Sequence, residues 1–311
     1  PLLNFDLISR TVQYAKKKSA EQGKRFRFSI TTNGTLLTDK IIAFLKKESF
    51  EVLISIDGPK NVHDAWRVFP NGKGSFDAVQ KGALKLIEDP GFHFSARATL
   101  THNCISLRKL SDFFDEERFS RAMACPVSPK RAGGERDDYC LSPRDFKKLL
   151  DEYERLAFSI IHKYQKGKPV VLNPFKEYMK LLQGRVRRRF SCGVGRGMLT
   201  ISAQGDIYPC QRFVGVENFV IGNLDHGIDS QRVFDIFCNF EATRRSCNSC
   251  WATFLCAKGC MNDWANTDGS FVEHRDEGCE LIKKIIELSI FIFATIKDDS
   301  FKHKSDFQHQ T

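Results

Sequence analysis

A chain of 311 residues is long enough to bury one large core or two ordinary ones. Its 41% hydrophobic and 28% charged content excludes an intrinsically disordered protein. The formal charge is +10, but the basic clusters at Lys16–Lys18, Lys24–Arg25 and Arg185–Arg189 come with no DNA- or RNA-binding signature. They read as solvated helix faces that help to attract an acidic peptide, and nucleic acid is not an expected partner.

The chain opens at Pro1 with PLLNFDLISR, which has neither the basic nor the apolar region of a signal peptide. Residues 4–22 predict a helix, and the alternation in Arg25–Thr31 predicts a strand. Thr38 is placed to cap a helix over 39–47. Phe50–Ile56 reads as a β-branched strand, and Gly74 or Ser75 starts a helix that ends near Asp89-Pro90-Gly91. A strand over Phe92–Leu100, a helix over Leu107–Glu117 and a strand within 118–127 follow. Residues 128–141 are loop-like, and Ser142 caps a long helix to about Lys166. This strand–helix alternation predicts an α/β fold with a parallel sheet. Near the C-terminus the longest apolar run, Ser289–Ile296, follows Lys283, Lys284 and Glu287. It is too short and its flank too charged to span a bilayer, so it predicts an amphipathic packing helix and no membrane association. The tail from 297 to 311 is polar and is expected to be disordered.

Eleven cysteines, an odd number in a chain without an export signal, argue against a secreted disulfide framework and for a reducing, cytoplasmic setting. Cys104, Cys125, Cys140 and Cys238 are isolated and read as free thiols. The other seven form an array: Cys192-x12-Gly205-x4-Cys210, then Cys247-x2-Cys250-x5-Cys256-x3-Cys260-x18-Cys279. Such short intervals let a chain wrap a metal centre, and either structural zinc or cubane clusters suit them. The count favours clusters. A zinc site closes with four ligands and leaves three cysteines over, and His226 and His274 lack finger-type spacing. Two clusters take eight thiolates, or seven when one iron keeps an open position. Gly193, Gly195, Gly197 and Gly259 allow backbone amides to approach cluster sulfurs, and Trp251, Phe254 and Trp264 are candidates to wall the centre from water.

The array resembles the SPASM domain of radical S-adenosylmethionine (radical SAM) enzymes. The flanking text CGVGRGMLTISAQGDIYPCQRFVG and CWATFLCAKGCMNDWANTDGS looks most like maturases that build thioether cross-links in peptides, such as those of the quinohemoprotein amine dehydrogenase type. The N-terminal half is similar to the same superfamily. Pro1-Leu2-Leu3 reads like the end of a Gly-Gly-Glu-Pro segment. Thr31-Thr32-Asn33-Gly34-Thr35-Leu36 and Ser55-Ile56-Asp57-Gly58-Pro59 look like barrel-strand ends that face the cofactor, where β/α barrels place their chemistry. His63-Asp64-x2-Arg67 follows the second of these, as in SPASM-type enzymes.

The resemblance implies a partial (β/α) barrel over 1–166 with its first strands missing. A connector over 167–191, a Cys-rich α+β SPASM domain over 192–296 and the tail over 297–311 complete the chain. It implies two auxiliary 4Fe-4S clusters, one on Cys247, Cys250, Cys256 and Cys279, the other on Cys192, Cys210 and Cys260 with an open iron position. Ser55 and Asp57 are the implied contacts to the ribose or carboxylate of S-adenosylmethionine, and Arg97 to a carboxylate. The implied partners are a cysteine-containing peptide or protein substrate and an external electron donor.

The superfamily's Cys-x3-Cys-x2-Cys loop does not occur in residues 1–190. A fragment is therefore expected, whose full-length form would carry a third 4Fe-4S cluster and S-adenosylmethionine. In that case the strand at 25–31 is an unpaired sheet edge that promotes aggregation. Gln211 stands where SPASM sulfatase maturases place a proton-accepting aspartate, which makes sulfatase maturation the lesser alternative. A cluster- or zinc-binding docking protein without catalysis is the other alternative.

Overall fold

The computed structural model describes residues 1–88, 92, 94–127, 138–266, 268–272 and 276–297. The ends of the expectations at Asp89–Gly91, most of the 128–141 loop and all but the start of the 297–311 tail lie outside these residues. The chain divides into two units, Pro1–Val127 with Lys147–Pro174, and Ser128–Phe146 with Phe175–Thr311.

In the first unit, strands alternate with helices: α1 (Phe5–Gln22), β1 (Ser29–Thr32), α2 (Asp39–Lys47), β2 (Glu51–Ser55), α3 (Lys60–His63) and α4 (Phe76–Ile87). β3 (Phe94–Leu100), α5 (Leu107–Glu116), β4 (Ala122–Pro126) and α6 (Pro143–Gln165) follow. The four strands lie in the order β1-β2-β3-β4, every pair parallel. This is the α/β architecture expected from the alternation. Thr38 caps α2, its side chain accepting from the Ile41 N–H. Ser142 and Asp145 cap α6 reciprocally, Ser142 Oγ accepting from the Asp145 N–H and the Asp145 carboxylate from the Ser142 N–H.

β1 departs from expectation. It starts at Ser29, not Arg25, because the partner strand offers nothing earlier than Glu51, whose N–H bonds the Phe28 carbonyl at 2.9 Å. Residues before Phe28 have no ladder to join. Phe28 instead stacks on Phe50, ring centroids 5.3 Å apart.

The sheet has two unlike faces. Ile30, Val52, Ile54, Ala96, Ala98, Leu100 and Ala122 are buried on one side, and Leu45, Val79, Leu86, Leu110 and Leu156 of the helices join the core of this unit. The register sets Ser55 beside Arg97 and Arg97 beside Met123 on the other side, with Thr31, Leu53, Ser95, Thr99 and Cys125. That side is half-buried to exposed. Parallel sheets normally bury both faces, so a polar, accessible face marks where something other than this sheet's helices belongs.

The segment after β2 is fixed by a polar network. The Asp57 carboxylate holds Arg67 through two hydrogen bonds, at 2.6 and 3.0 Å, and accepts a third from the Thr99 N–H at 2.8 Å. His63 is fully buried. Its Nδ1 accepts from the Asp57 N–H and its Nε2 lies 3.1 Å from Ser75 Oγ, which donates to the Arg67 carbonyl. That pattern requires the neutral imidazole with its proton on Nε2. Asp64 takes over the capping of α4 by accepting from the Phe76 N–H at 2.8 Å. The Thr32–Thr35 turn is seated directly on α4, since a Cβ on Gly82 would meet the Gly34 carbonyl at 2.8 Å and Leu37 Cβ at 2.9 Å.

The second unit contains α7 (Lys176–Gln183), which lies within the expected connector, and a four-stranded antiparallel meander of β5 (Thr200–Ile201), β6 (Asp206–Tyr208), β7 (Gly222–Asn223) and β8 (Gly227–Ile228). α8 (Ser230–Thr243), α9 (Thr253–Cys256), α10 (Met261–Trp264) and α11 (Asp276–Lys297) complete it. Phe213, Phe219, Ile221, Phe240 and Trp264 form its core, and α11 packs on α7 and α9. Among the described residues no helix is long and apolar enough to cross a membrane.

Burial lowers the His63 pKa below its usual value near 6.5, a desolvation effect that the Asp57 charge opposes without overcoming. The unfolded chain therefore takes up this proton first. The stability tied to it is complete above about pH 6.5 and is lost as pH falls, at up to about 1.4 kcal/mol per pH unit. Urea unfolding at pH 7.5 and 5.5 should show a larger loss for the native chain than for His63→Asn. Equal losses would show that His63 does not titrate on unfolding.

Candidate metal centre

Four cysteines of the array are placed by short, tightly turned elements, while Cys279 lies in the first turn of the 22-residue α11. Cys210 precedes a 3-10 turn at Gln211–Phe213, Cys247 lies within another at Arg245–Ser249, Cys256 ends α9 and Cys260 begins α10. A thiolate at such a position meets amide protons. The Arg212 and Phe213 amides point at the Cys210 sulfur, those of Asn262 and Asp263 at Cys260, and that of Gly259 at Cys256.

Some of the seven thiols lie near one another. Cys256 lies within electrostatic reach of Cys279 and Cys247, and Cys279 of Cys247 and Cys250. Cys210 lies within reach of Cys192. Around Cys260, Ser191 Oγ donates to the Gly259 carbonyl at 2.7 Å and Asn262 Nδ2 to the Arg212 carbonyl at 2.9 Å, while Arg212 reaches both Cys210 and Cys260. Among the described residues no group of three or more His, Cys, Asp or Glu side chains is placed to hold a single metal ion.

Burial pushes the Cys256 thiol up to about 11, with the neighbouring Cys279 and Cys247 adding to the rise. Burial likewise raises Cys210, Cys260 and Cys279. Empty, these sulfurs stay protonated, and only a bound cation makes them thiolates. Two arginines are already in place for that charge. Arg212 donates to Cys260 Sγ at 3.0 Å and pairs with Asp263 at 2.7 Å. Arg244 donates to Cys247 Sγ at 3.2 Å and is only 2% exposed. Its Nη1 is buried without a hydrogen-bond partner. A buried, unpartnered donor beside the Cys247 sulfur suits an anionic metal–thiolate centre, which an iron–sulfur cluster and a tetrathiolate zinc site would both supply.

The backbone between Cys256 and Cys260 is unusual. Ala257, Lys258 and Gly259 are all left-handed, with φ of 52°, 64° and 70°. The non-glycine members cost about 1–2 kcal/mol each in that region.

Several expected residues fall elsewhere. Trp264 is buried against Arg244, 3.8 Å from guanidinium to ring centroid. Trp251 and Phe254 are 56% and 54% exposed, Trp251 just before α9 and Phe254 within it. In the first unit Ser55 and Arg97 sit side by side on the open sheet face, whereas both oxygens of Asp57 are engaged by Arg67 and Thr99. Arg212 and Arg244 escaped the sequence reading. Arg245 stands one residue closer to Cys247 in sequence yet is exposed, so spacing alone does not pick out Arg244.

No family model matches the chain. It is similar to the cysteine-type anaerobic sulfatase-maturating enzyme of Clostridium novyi (strain NT), 26% identical over 307 residues, which span 93% of this chain and 78% of that enzyme. It is also similar to the radical SAM cyclopropyl synthase TigE of Paramaledivibacter caminithermalis, 22% identical over 309 residues, 96% of this chain and 61% of that enzyme. Among solved structures, anSMEcpe with bound AdoMet and the Kp18Cys peptide matches with a TM-score of 0.76 at 20% identity, covering 96% of this chain and 82% of that one. The fold is that of the radical SAM maturases. Relatives and fold neighbours together indicate a radical SAM enzyme resembling the anaerobic sulfatase maturases. The likeness is not selective for thioether-forming maturases.

Gly259→Ala places a side chain at φ 70° in a run that is already left-handed. Urea unfolding of the iron-free protein should show a loss of about 1 kcal/mol, and an unchanged midpoint would mean the turn relaxes in solution.

Proposed function

We propose that the protein is a radical SAM maturase that modifies a cysteine-containing peptide or protein, joining the cysteine sulfur to a carbon atom as a thioether. The observation that supports this reading is that Cys247, Cys256 and Cys279 lie within electrostatic reach of one another, as do Cys192 and Cys210, while guanidinium groups meet Cys247 and Cys260. Cys247, Cys250, Cys256 and Cys279 would hold one 4Fe-4S cluster. Cys192, Cys210 and Cys260 would hold a second, whose remaining position is suited to a substrate thiolate. When bound, S-adenosylmethionine with its reducing cluster supplies the hydrogen-abstracting radical, and the auxiliary clusters accept an electron.

The chain's own residues have more local tasks. Ser55 and Arg97, adjacent on the accessible sheet face, would hold the ribose and carboxylate of S-adenosylmethionine. Asp57 would act through Arg67 and His63 by fixing the strand end from which Ser55 projects. Thioether formation removes one hydrogen from sulfur and one from carbon, so an external electron donor is needed only to start each turnover. Eleven reduced thiols fit a reducing, cytoplasmic compartment.

Cysteine oxidation of the sulfatase-maturing kind is the second reading, favoured by the likeness to the Clostridium novyi enzyme. Against it stands Gln211, exposed at the turn after Cys210, because an amide cannot take up a proton as a carboxylate does.

Anaerobic reconstitution of the protein as its gene encodes it, with iron, sulfide, reductant and S-adenosylmethionine, separates these readings. Iron and sulfide should load together, and mass spectrometry of a cysteine-containing substrate should show loss of a hydrogen pair with the sulfur retained. Replacement of sulfur by oxygen would establish the sulfatase-type reaction. Zinc in place of iron would end both readings and leave a structural metal protein.

A further inference from the structure

Arg244 Nη1 is one of three buried side-chain atoms without a hydrogen-bond partner among the described residues, with Arg188 Nε and Glu241 Oε1. Arg244 ends α8 and is 2% exposed. Its guanidinium carbon stands 3.8 Å over the Trp264 ring and 5.0 Å from the Phe240 ring, which fixes its plane. NH2 donates to Cys247 Sγ at 3.2 Å. NH1 is buried and has no partner. A guanidinium keeps its charge at any accessible pH, so burying it without an anion is among the costliest arrangements a protein interior can hold. Arg244 also lies within electrostatic reach of Cys256 and Cys279. Three of the four sulfurs in this group therefore surround it.

The other thiol group is built differently. Arg212 touches Cys260 but spends its second nitrogen on Asp263, at 2.7 Å, and both members of that pair are partly exposed. Its charge is largely cancelled by the carboxylate and by water. Arg244 is instead almost fully buried and bonds a thiol of the other group, Cys247.

We infer that Arg244 is a positioning residue for the cluster on Cys247, Cys250, Cys256 and Cys279, with NH2 bonding the Cys247 thiolate and NH1 kept for an inorganic sulfide of the cluster. The inference rests on the assignment of that cluster made above. Reduction adds one electron to an anionic centre, and a buried, unscreened positive charge in contact with it favours the added electron. Arg244 thus holds this cluster at a higher reduction potential than the same four thiolates would give alone.

The test uses the reconstituted native protein with Arg244→Gln and Arg244→Lys, titrated with dithionite through redox mediators and followed by electron paramagnetic resonance. Iron and sulfide content and circular dichroism are read alongside. Arg244→Gln should make reduction at least tenfold less favourable, a shift of about 59 mV to more negative potential for a one-electron couple. Arg244→Lys, which keeps the charge but not the paired donors, should fall between. If Arg244→Gln folds like the native protein but loses iron from one cluster, the positioning role stands. If its fold is lost, Arg244→Lys decides. Variants that load fully and titrate with the native protein overturn the inference. A native protein that binds no iron overturns the cluster assignment instead, so the two failures are distinguishable.

Discussion

Bringing four sulfurs together in a small domain sets the terms for everything around them. Thiolates repel one another, and buried thiols resist ionisation, so the array is workable only if positive charge and amide protons are supplied locally. The second unit supplies both with very little secondary structure. Short helices turn their N-terminal amides toward Cys210 and Cys260, and two arginines stand against Cys247 and Cys260. The left-handed run at Ala257–Gly259 then turns the chain between Cys256 and Cys260. The conformational cost of that run falls on Ala257 and Lys258, and the Cys-x3-Cys interval leaves no room for a longer, relaxed turn.

The first unit solves a different problem. Its sheet needs one strand end held rigidly while one face stays accessible. Asp57, His63, Asp64, Arg67 and Ser75 do this by satisfying one another, so the strand end does not rely on a ligand to keep its shape. A catalytic constellation gains from such support, since positions held by packed, hydrogen-bonded neighbours are more accurate than those held by loops. The Gly82 contact serves the same end by seating the Thr32–Thr35 turn on α4.

Much of this was legible in the sequence, for identifiable reasons. The caps at Thr38 and Ser142, the parallel alternation and the seven-cysteine array depend on residues close together in the chain, where spacing and side-chain chemistry decide the outcome. The start of β1 was not legible, because the length of a ladder is set by its partner strand and the partner is distant in sequence. Arg244 and Arg245 show the same limit at the site. They are chemically identical neighbours, and only the packing of Trp264 and Phe240 selects which one is buried. Trp251 and Phe254, aromatics beside cysteines in sequence, are more than half exposed, and their burial was likewise not set by spacing. The engagement of Asp57 by Arg67, ten residues on, likewise follows from the turn through α3.

The accessible sheet face has a consequence for the heat of ligand binding. Thr31, Ser55, Ser95, Arg97 and Thr99 present hydroxyls and a guanidinium, so that surface is wetted when nothing lies on it. Leu53, Met123 and Cys125 share that face, with Met123 43% exposed. Covering it would exchange ordered water for hydrogen bonds and bury apolar surface as well, which gives a favourable enthalpy together with a negative heat-capacity change.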